Sequence, residues 1–172
     1  HSTESTLLAV HDHLIKAMSQ QKVTALCLLD LSAAFDTIDH SILIHRLSSW
    51  FGFNGNVLSW LASYLSARNF VVNINSTMSL NQGVPQGSVL GPLLFILYTT
   101  PLSSLISDSS VSHHLYADDT QLFISFAASD FSANILHLQT TIDLVSNWMS
   151  SNLLSLNPSK TEFLLIGLPT QL

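Results

Sequence analysis

His113-His114-Leu115-Tyr116-Ala117-Asp118-Asp119-Thr120-Gln121-Leu122-Phe123-Ile124 is the stretch whose reading decides the fold. Before the acids, Val111, His113 and Leu115 alternate with Ser112, His114 and Tyr116. After them, Gln121, Phe123 and Ser125 alternate with Leu122, Ile124 and Phe126. Two period-2 runs around a pair of turn-tolerant residues predict a β-hairpin tipped by Asp118 and Asp119. Adjacent carboxylates at a tight tip repel unless a cation lies with them. Oxygen-only surroundings suit a hard divalent ion such as Mg²⁺. Taken alone, an Asp-Asp pair fits a plain solvated turn better than a metal site, because turns select Asp for backbone reasons.

Composition narrows the setting. The 172 residues suit one domain or a piece of a larger protein. At 47% hydrophobic and a mean hydropathy of +0.39, the chain can build a sizeable core. Only 9% of residues are charged, against roughly 25% in an ordinary soluble domain. So bare a surface predicts missing neighbours or a chain that packs against something. The net charge of −6, with Lys16, Lys22, Arg46, Arg68 and Lys160 as the basic residues, argues by itself against nucleic-acid binding. The single Cys27 excludes a disulfide framework, and the scattered histidines lack zinc spacing. No charged-then-apolar leader is read at the start, and no membrane partner is expected. The longest apolar run, Val89 to Leu102, is interrupted by Pro92, Thr99, Thr100 and Pro101. It is read as a buried helix too short for the ~18 residues of a membrane span.

Taken in order, Leu7, Leu8, His11, Leu14, Ile15 and Met18 recur at helical spacing over Ser5 to Gln20, with Ser2 and Thr3 as caps. Thr24 to Leu31 is a nearly continuous apolar run, the pattern of a strand buried on both faces, and delivers Asp30 at its end. Asp39 caps a helix through Ile42, Leu43, Leu47 and Trp50; Asp36 and Asp39 are read as turn and capping residues. Val57 to Leu65 is a second amphipathic helix and Phe70 to Ile74 a short strand. Gly83 to Pro92 is a glycine-bounded loop leading into the buried helix. After the hairpin, Asp130 caps a long helix bearing Ile135, Leu138, Ile142, Val145 and Met149. Short strands at Asn152 to Leu156 and Thr161 to Ile166 flank Asn157-Pro158-Ser159-Lys160. The fold class is α+β, a small and mostly antiparallel sheet with helices packed on one side.

If the strand ending in Asp30 neighbours the hairpin, three carboxylates meet at one sheet edge. Such a set can hold two divalent ions roughly 3.5–4 Å apart for in-line phosphoryl or nucleotidyl transfer. Considered alone, Asp30 also serves as a helix-start cap.

Four segments then resemble successive motifs of reverse transcriptases, most like those of jockey-like non-LTR retrotransposons. They are Leu28 to His40, Gly83 to Pro92, Tyr116-Ala117-Asp118-Asp119 and Leu156 to Thr161. A lone Tyr-Ala-Asp-Asp is weak; four motifs in the family's order are specific, and the likeness covers essentially the whole chain. It implies a palm fold with part of the fingers over residues 1–172. Asp30 and Asp118 resemble the palm's metal-binding aspartates, with Asp119 beside them as the third carboxylate and the Leu31 carbonyl as a further ligand. Phe35 resembles the aromatic residue that excludes a ribose 2′-hydroxyl, against the plain reading of a core phenylalanine. Gln86 and Gly87 resemble the residues that meet the incoming nucleotide, and Gly83 and Gly91 allow close backbone approach. Tyr116 would lie near the primer end, or is simply a strand residue with a wet hydroxyl. Lys160 resembles the lysine beside the triphosphate, a general acid for pyrophosphate; the bland alternative is a solvated surface lysine.

The resemblance implies an RNA-directed DNA polymerase. It would use Mg²⁺ or Mn²⁺, an RNA template, a DNA primer and deoxynucleoside triphosphates. It also implies partners in the fingers and thumb of a parent polyprotein, whose basic segments are not read here; palms carry the acids, while those regions carry the phosphate contacts. A second reading, of a different class, is a non-catalytic remnant that binds another protein through its apolar faces.

Overall fold

Val23–Leu29 forms β1, the central strand of the larger sheet, because nearly every residue in it is apolar and none has to face water. In the computed structural model, which describes residues 3–66, 69–72, 76–79, 82–84 and 87–168, β1 is flanked on both sides. Asp119–Phe126 (β6) pairs with it antiparallel on one side and Glu162–Ile166 (β8) on the other. Ser112–Tyr116 (β5) closes the hairpin onto β6, giving the order β5-β6-β1-β8. Leu29 stands opposite Thr120, Cys27 opposite Leu122 and Ala25 opposite Ile124. All of these but Ile124 are buried. A one-residue slip would trade Leu122 for Gln121 on that face and lose about 1.5–3 kcal/mol for each large side chain exposed. Burial therefore fixes the register.

The chain divides into two compact units. The first runs up to Ser32 and includes Leu102–Trp148 and the chain from Leu156 onward, so it holds this sheet. Helix α1 (Thr3–Ser19) packs on the sheet through His13, which meets the edge of the Phe123 ring and hydrogen-bonds Ser125 Oγ at 2.8 Å. The opposite face meets helices of the same unit. Ser103 hydrogen-bonds His113 at 2.8 Å, and Phe131 packs edge-on against Phe126.

The second unit comprises Ala33–Pro101 and Met149–Ser155. Asp39 caps α2 (His40–Ser49), accepting from the Ile42 N–H at 2.9 Å, as the sequence predicts. Helix α3 (Gly55–Ser66) follows, then the two-stranded pair β3 (Asn69–Val72) and β4 (Ser76–Ser79). Arg46 is 8% exposed. It donates to the Tyr98 carbonyl and Asn152 Oδ1, and its guanidinium lies 4.7 Å from the Tyr98 ring centroid. Burial lowers its pKa, and the charge of Tyr98 opposes that shift. Leaving the buried Tyr98 carbonyl unpaired would cost about 1–3 kcal/mol, so Arg46 is a structural residue of this unit.

Three expectations are corrected. The hairpin loop is Ala117-Asp118, not Asp118-Asp119: Asp119 is the first residue of β6 and pairs with Tyr116. Ala117 at φ +51 takes the first loop position and moves the turn one residue earlier. The buried helix expected within Val89 to Leu102 is present but runs longer, as α4 (Leu90–Asp108), through the prolines and threonines that interrupt the apolar run. Thr99 and Thr100 turn their hydroxyls back onto the carbonyls of Phe95 (3.0 Å) and Ile96 (2.8 Å), and Pro92 lies in the first turn, where no N–H is needed. At 19 residues and a mean hydropathy of 1.4, α4 is, among the described residues, the helix long and apolar enough to cross a membrane by length and composition. Core helices pass the same test, and Leu94, Phe95, Tyr98, Leu102 and Ile106 are fully buried. Asp130, third, ends a short 3-10 turn (Ala128–Asp130) ahead of α5 (Phe131–Ser151). Its carboxylate accepts from the Ser129 hydroxyl, and its carbonyl accepts from Asn134. The proposed cap Ser2 lies outside the described residues.

Candidate active site

Asp30 follows the last residue of β1, and the chain then begins β2 (Leu31–Ser32). Leu29 and Thr120 form the last pair of the ladder, and the residues next to it, Asp30 after β1 and Asp119 at the start of β6, line the same groove. Two carboxylates thus stand at one end of the sheet, beside Leu28 and Gln121.

The third group comes from the C-terminal part of the chain, after the short strand β7 (Ser155–Leu156). The Asn157 N–H donates to the Asp30 carbonyl at 2.8 Å. Its side chain caps the 3-10 turn Pro158–Lys160, accepting from the Ser159 N–H at 3.1 Å and the Ser159 hydroxyl at 2.6 Å. The Lys160 N–H closes that turn on the Asn157 carbonyl at 3.1 Å. Asn, Pro, Ser and Lys in this order therefore hang a lysine on a turn tied to the end of β1. Lys160 Nζ stands 3.1 Å from Asp30 Oδ2.

Asp30, Asp119 and Lys160 line one groove of about 440 Å³, together with Leu28, Gln121 and Glu162. Gln121 and Glu162 carry no prediction from sequence; the period-2 alternation of β6 and β8 was the signal available for them. Burial, then the charges of Asp118 and Asp30, raise the Asp119 carboxyl above its usual value, and Lys160 opposes the shift. The Lys160 side chain is 66% exposed and that of Asp30 only 19%. An ion pair with one partner in water contributes about 0–1 kcal/mol, too little to offset the crowding of acids. Asp30 Oδ2 is itself buried and, among the described residues, has no aligned hydrogen bond; Lys160 is within ion-pair reach but off the hydrogen-bonding direction. A buried carboxylate oxygen without an aligned hydrogen bond, in a groove also lined by the Asp119 carboxylate, offers the kind of oxygen ligand a hard divalent cation takes. No three His, Cys, Asp or Glu side chains among the described residues are already gathered as a metal centre.

The other sequence candidates fall into place as follows. Asp118 occupies the hairpin loop. Tyr116 lies opposite Asp119 and is 40% exposed. Leu31 is buried in β2. Phe35 belongs to the second unit, where its ring lies 5.1 Å from that of Phe95 and its carbonyl accepts from the Val84 N–H at 2.7 Å. Gly83 begins the glycine loop there at φ +89, its N–H donating to the Ile38 carbonyl at 2.7 Å. Gly87 has φ +81, and Ser88 Oγ accepts from the Gly91 N–H at 2.9 Å. Gln86 lies outside the described residues.

Fold and groove together define an α+β domain with an acidic site at one end of an antiparallel sheet. The chain belongs to the reverse transcriptase (RNA-dependent DNA polymerase) family, whose model matches residues 2–171. It is 29% identical over 170 residues to the probable RNA-directed DNA polymerase from transposon BS of Drosophila melanogaster, covering 94% of this chain and 18% of that protein. It is 25% identical over 169 residues to the RNA-directed DNA polymerase from mobile element jockey of Drosophila funebris, again covering 18% of the relative and 93% of this chain. The chain thus spans less than a fifth of the length of these curated relatives. Among solved structures, apo telomerase from Candida tropicalis superposes with a TM-score of 0.72 at 16% identity, over 96% of this chain and 36% of that one. Telomerase from Candida albicans, in complex with a fragment of telomeric RNA, gives 0.68 at 14% identity, over 95% and 30%. At such identities the likeness bears on fold alone, and it agrees with a palm-like α+β arrangement.

Proposed function

We propose that this chain is the palm, with part of the fingers, of an RNA-directed DNA polymerase from a jockey-like element, and that its groove is the nucleotidyl-transfer site. The thumb and most of the fingers would come from other parts of such a polymerase. The observation that carries the proposal is a single groove lined by Asp30, Asp119 and Lys160, with the Lys160 turn tied to the end of β1. Asp30, Asp118 and Asp119, with the Leu31 carbonyl, would hold two Mg²⁺ or Mn²⁺ ions. When bound, these lower the pKa of a primer 3′-hydroxyl and steady the pyrophosphate leaving from a deoxynucleoside triphosphate. Asp30 and Asp119 concentrate negative charge where cations are needed. Lys160, on a flexible stem, is within reach to give a proton to the departing pyrophosphate. Tyr116, exposed beside Asp119, offers a ring edge and hydroxyl to the primer end. On the family resemblance alone, Phe35 would be the residue that disfavours a ribose 2′-hydroxyl, and Gln86 and Gly87 those that meet the incoming nucleotide. Binding energy from those contacts orients the reacting atoms.

Primer extension on an RNA template tests this, with the chain joined to the fingers and thumb of a jockey-type relative. Asp30→Asn and Asp118→Asn should each abolish synthesis while leaving circular dichroism unchanged; retained synthesis refutes the site. The exposed Phe163, Leu164 and Leu165 on β8 favour a second reading, a non-catalytic remnant that binds a protein. A template–primer titration of this chain at low salt separates the two, since no affinity supports the remnant.

A further inference from the structure

We propose that Lys160 is the resident counter-cation of the ion-free groove, and that loading a divalent ion and releasing the Lys160 amine are a single exchange. The inference rests on the reading of Asp30 and Asp119 as the ion-holding pair, and it adds a second duty to a residue otherwise assigned to the leaving group.

Asp30, Asp119 and Glu162 line the groove, Asp118 adds its field at Asp119, and Lys160 is the basic side chain in the lining. Its position is built. The Asn157 N–H fixes the turn to the Asp30 carbonyl, the Asn157 side chain caps it, and the Lys160 N–H closes it. The same residue, Asp30, therefore anchors the turn by its carbonyl and receives the amine at its carboxylate. At 3.1 Å the amine is close enough to neutralise Oδ2 but too poorly aligned to satisfy it. The lysine holds the place without filling it.

A divalent ion takes a carboxylate oxygen at about 2.0–2.6 Å. An ion on Oδ2 and an ammonium 3.1 Å from the same atom would be close like charges, so one excludes the other. Expulsion costs the amine little, because 66% of the side chain already faces water and its four-carbon stem bends freely. The freed amine stays on the anchored turn at the groove mouth, where an anionic leaving group would depart. Ion loading thereby makes Lys160 available, and an empty site keeps it engaged.

The test is Mn²⁺ binding to this chain, read by electron paramagnetic resonance of the free ion, with melting followed by circular dichroism. Lys160→Gln should tighten Mn²⁺ roughly threefold or more, because the competitor is gone. It should also lower the melting temperature of the ion-free protein, and the difference should vanish at saturating Mn²⁺. Lys160→Arg, which keeps the charge, should stay near the wild type. If Lys160→Gln leaves Mn²⁺ affinity unchanged or weaker while Asp30→Asn abolishes binding, the exchange is wrong and the carboxylate pair stands. If Asp30→Asn and Asp119→Asn bind Mn²⁺ as the wild type does, the pair falls and the exchange falls with it.

Discussion

Replacing Gly83 by Ala tests whether the start of the glycine loop is held by backbone geometry. Gly83 has φ +89, and an added Cβ would lie 3.2 Å from the Asp36 carbonyl oxygen, 3.3 Å from Asp36 Cα and 3.4 Å from the Phe35 carbonyl oxygen. Those neighbours are backbone and cannot rotate away. The positive φ alone costs an L-residue about 1–3 kcal/mol, and yielding to the backbone contact adds to it. Against this stands a gain of about 0.4–1 kcal/mol from stiffening the unfolded chain. The net expectation is a loss of about 2–3 kcal/mol. At roughly 2–4 °C per kcal/mol for a chain of this size, the melting temperature should fall by about 4–12 °C. Gly52→Ala is the control: its φ is +70 and nothing lies within 4 Å of the added Cβ, so it carries the dihedral cost without the contact. Urea and thermal unfolding of both variants, followed by circular dichroism, give the difference. The His40 ring, hydrogen-bonded through Nε2 to the Gly83 carbonyl at 2.8 Å, reports by NMR whether the loop has moved. A Gly83→Ala protein no less stable than Gly52→Ala would refute the reasoning.

Two further outcomes can be checked. Ala117 holds φ +51 in the hairpin loop, a conformation costing an L-residue about 1–2 kcal/mol. Ala117→Gly should therefore raise the urea midpoint by an amount equivalent to about 1 kcal/mol, and a lower midpoint would contradict the strain. His13 has its pKa lowered from 6.5, by burial first and then by Lys16, with His114 and Lys22 adding and Asp12 opposing. The unfolded chain therefore binds this proton at higher pH than the folded one. The stability is fully present above about 6.5 and is lost as pH falls through the window below it. Urea midpoints should drop between pH 7 and pH 5, and His13→Gln should flatten that drop. His113, also lowered by burial, keeps its own share. An unchanged slope in His13→Gln would show that His13 is not the group responsible.

Local chemistry made much of this protein legible from its residues. The apolar run from Thr24 to Leu31 reads as a buried strand and is found as β1, Val23–Leu29; the alternation around Asp118 reads as a hairpin, and Asp39 as the cap of the helix after it. These follow from burial, the two-residue period and backbone hydrogen bonding, all of which act over a few neighbours. The order of four motifs was likewise readable, and the family assignment agrees with it.

Tertiary structure decided which acids share a groove. Sequence placed both aspartates at the hairpin tip, whereas the pairing of Asp119 with Tyr116 set Asp119 in the strand, in one groove with Asp30, and left Asp118 in the loop. A one-residue difference in turn position reverses the face a side chain points to, and only the ladder with a distant strand fixes it. The same holds for Arg46, for Glu162 and for the orphaned oxygen of Asp30. Their surroundings are made by segments far away in the chain, so no local pattern could carry them.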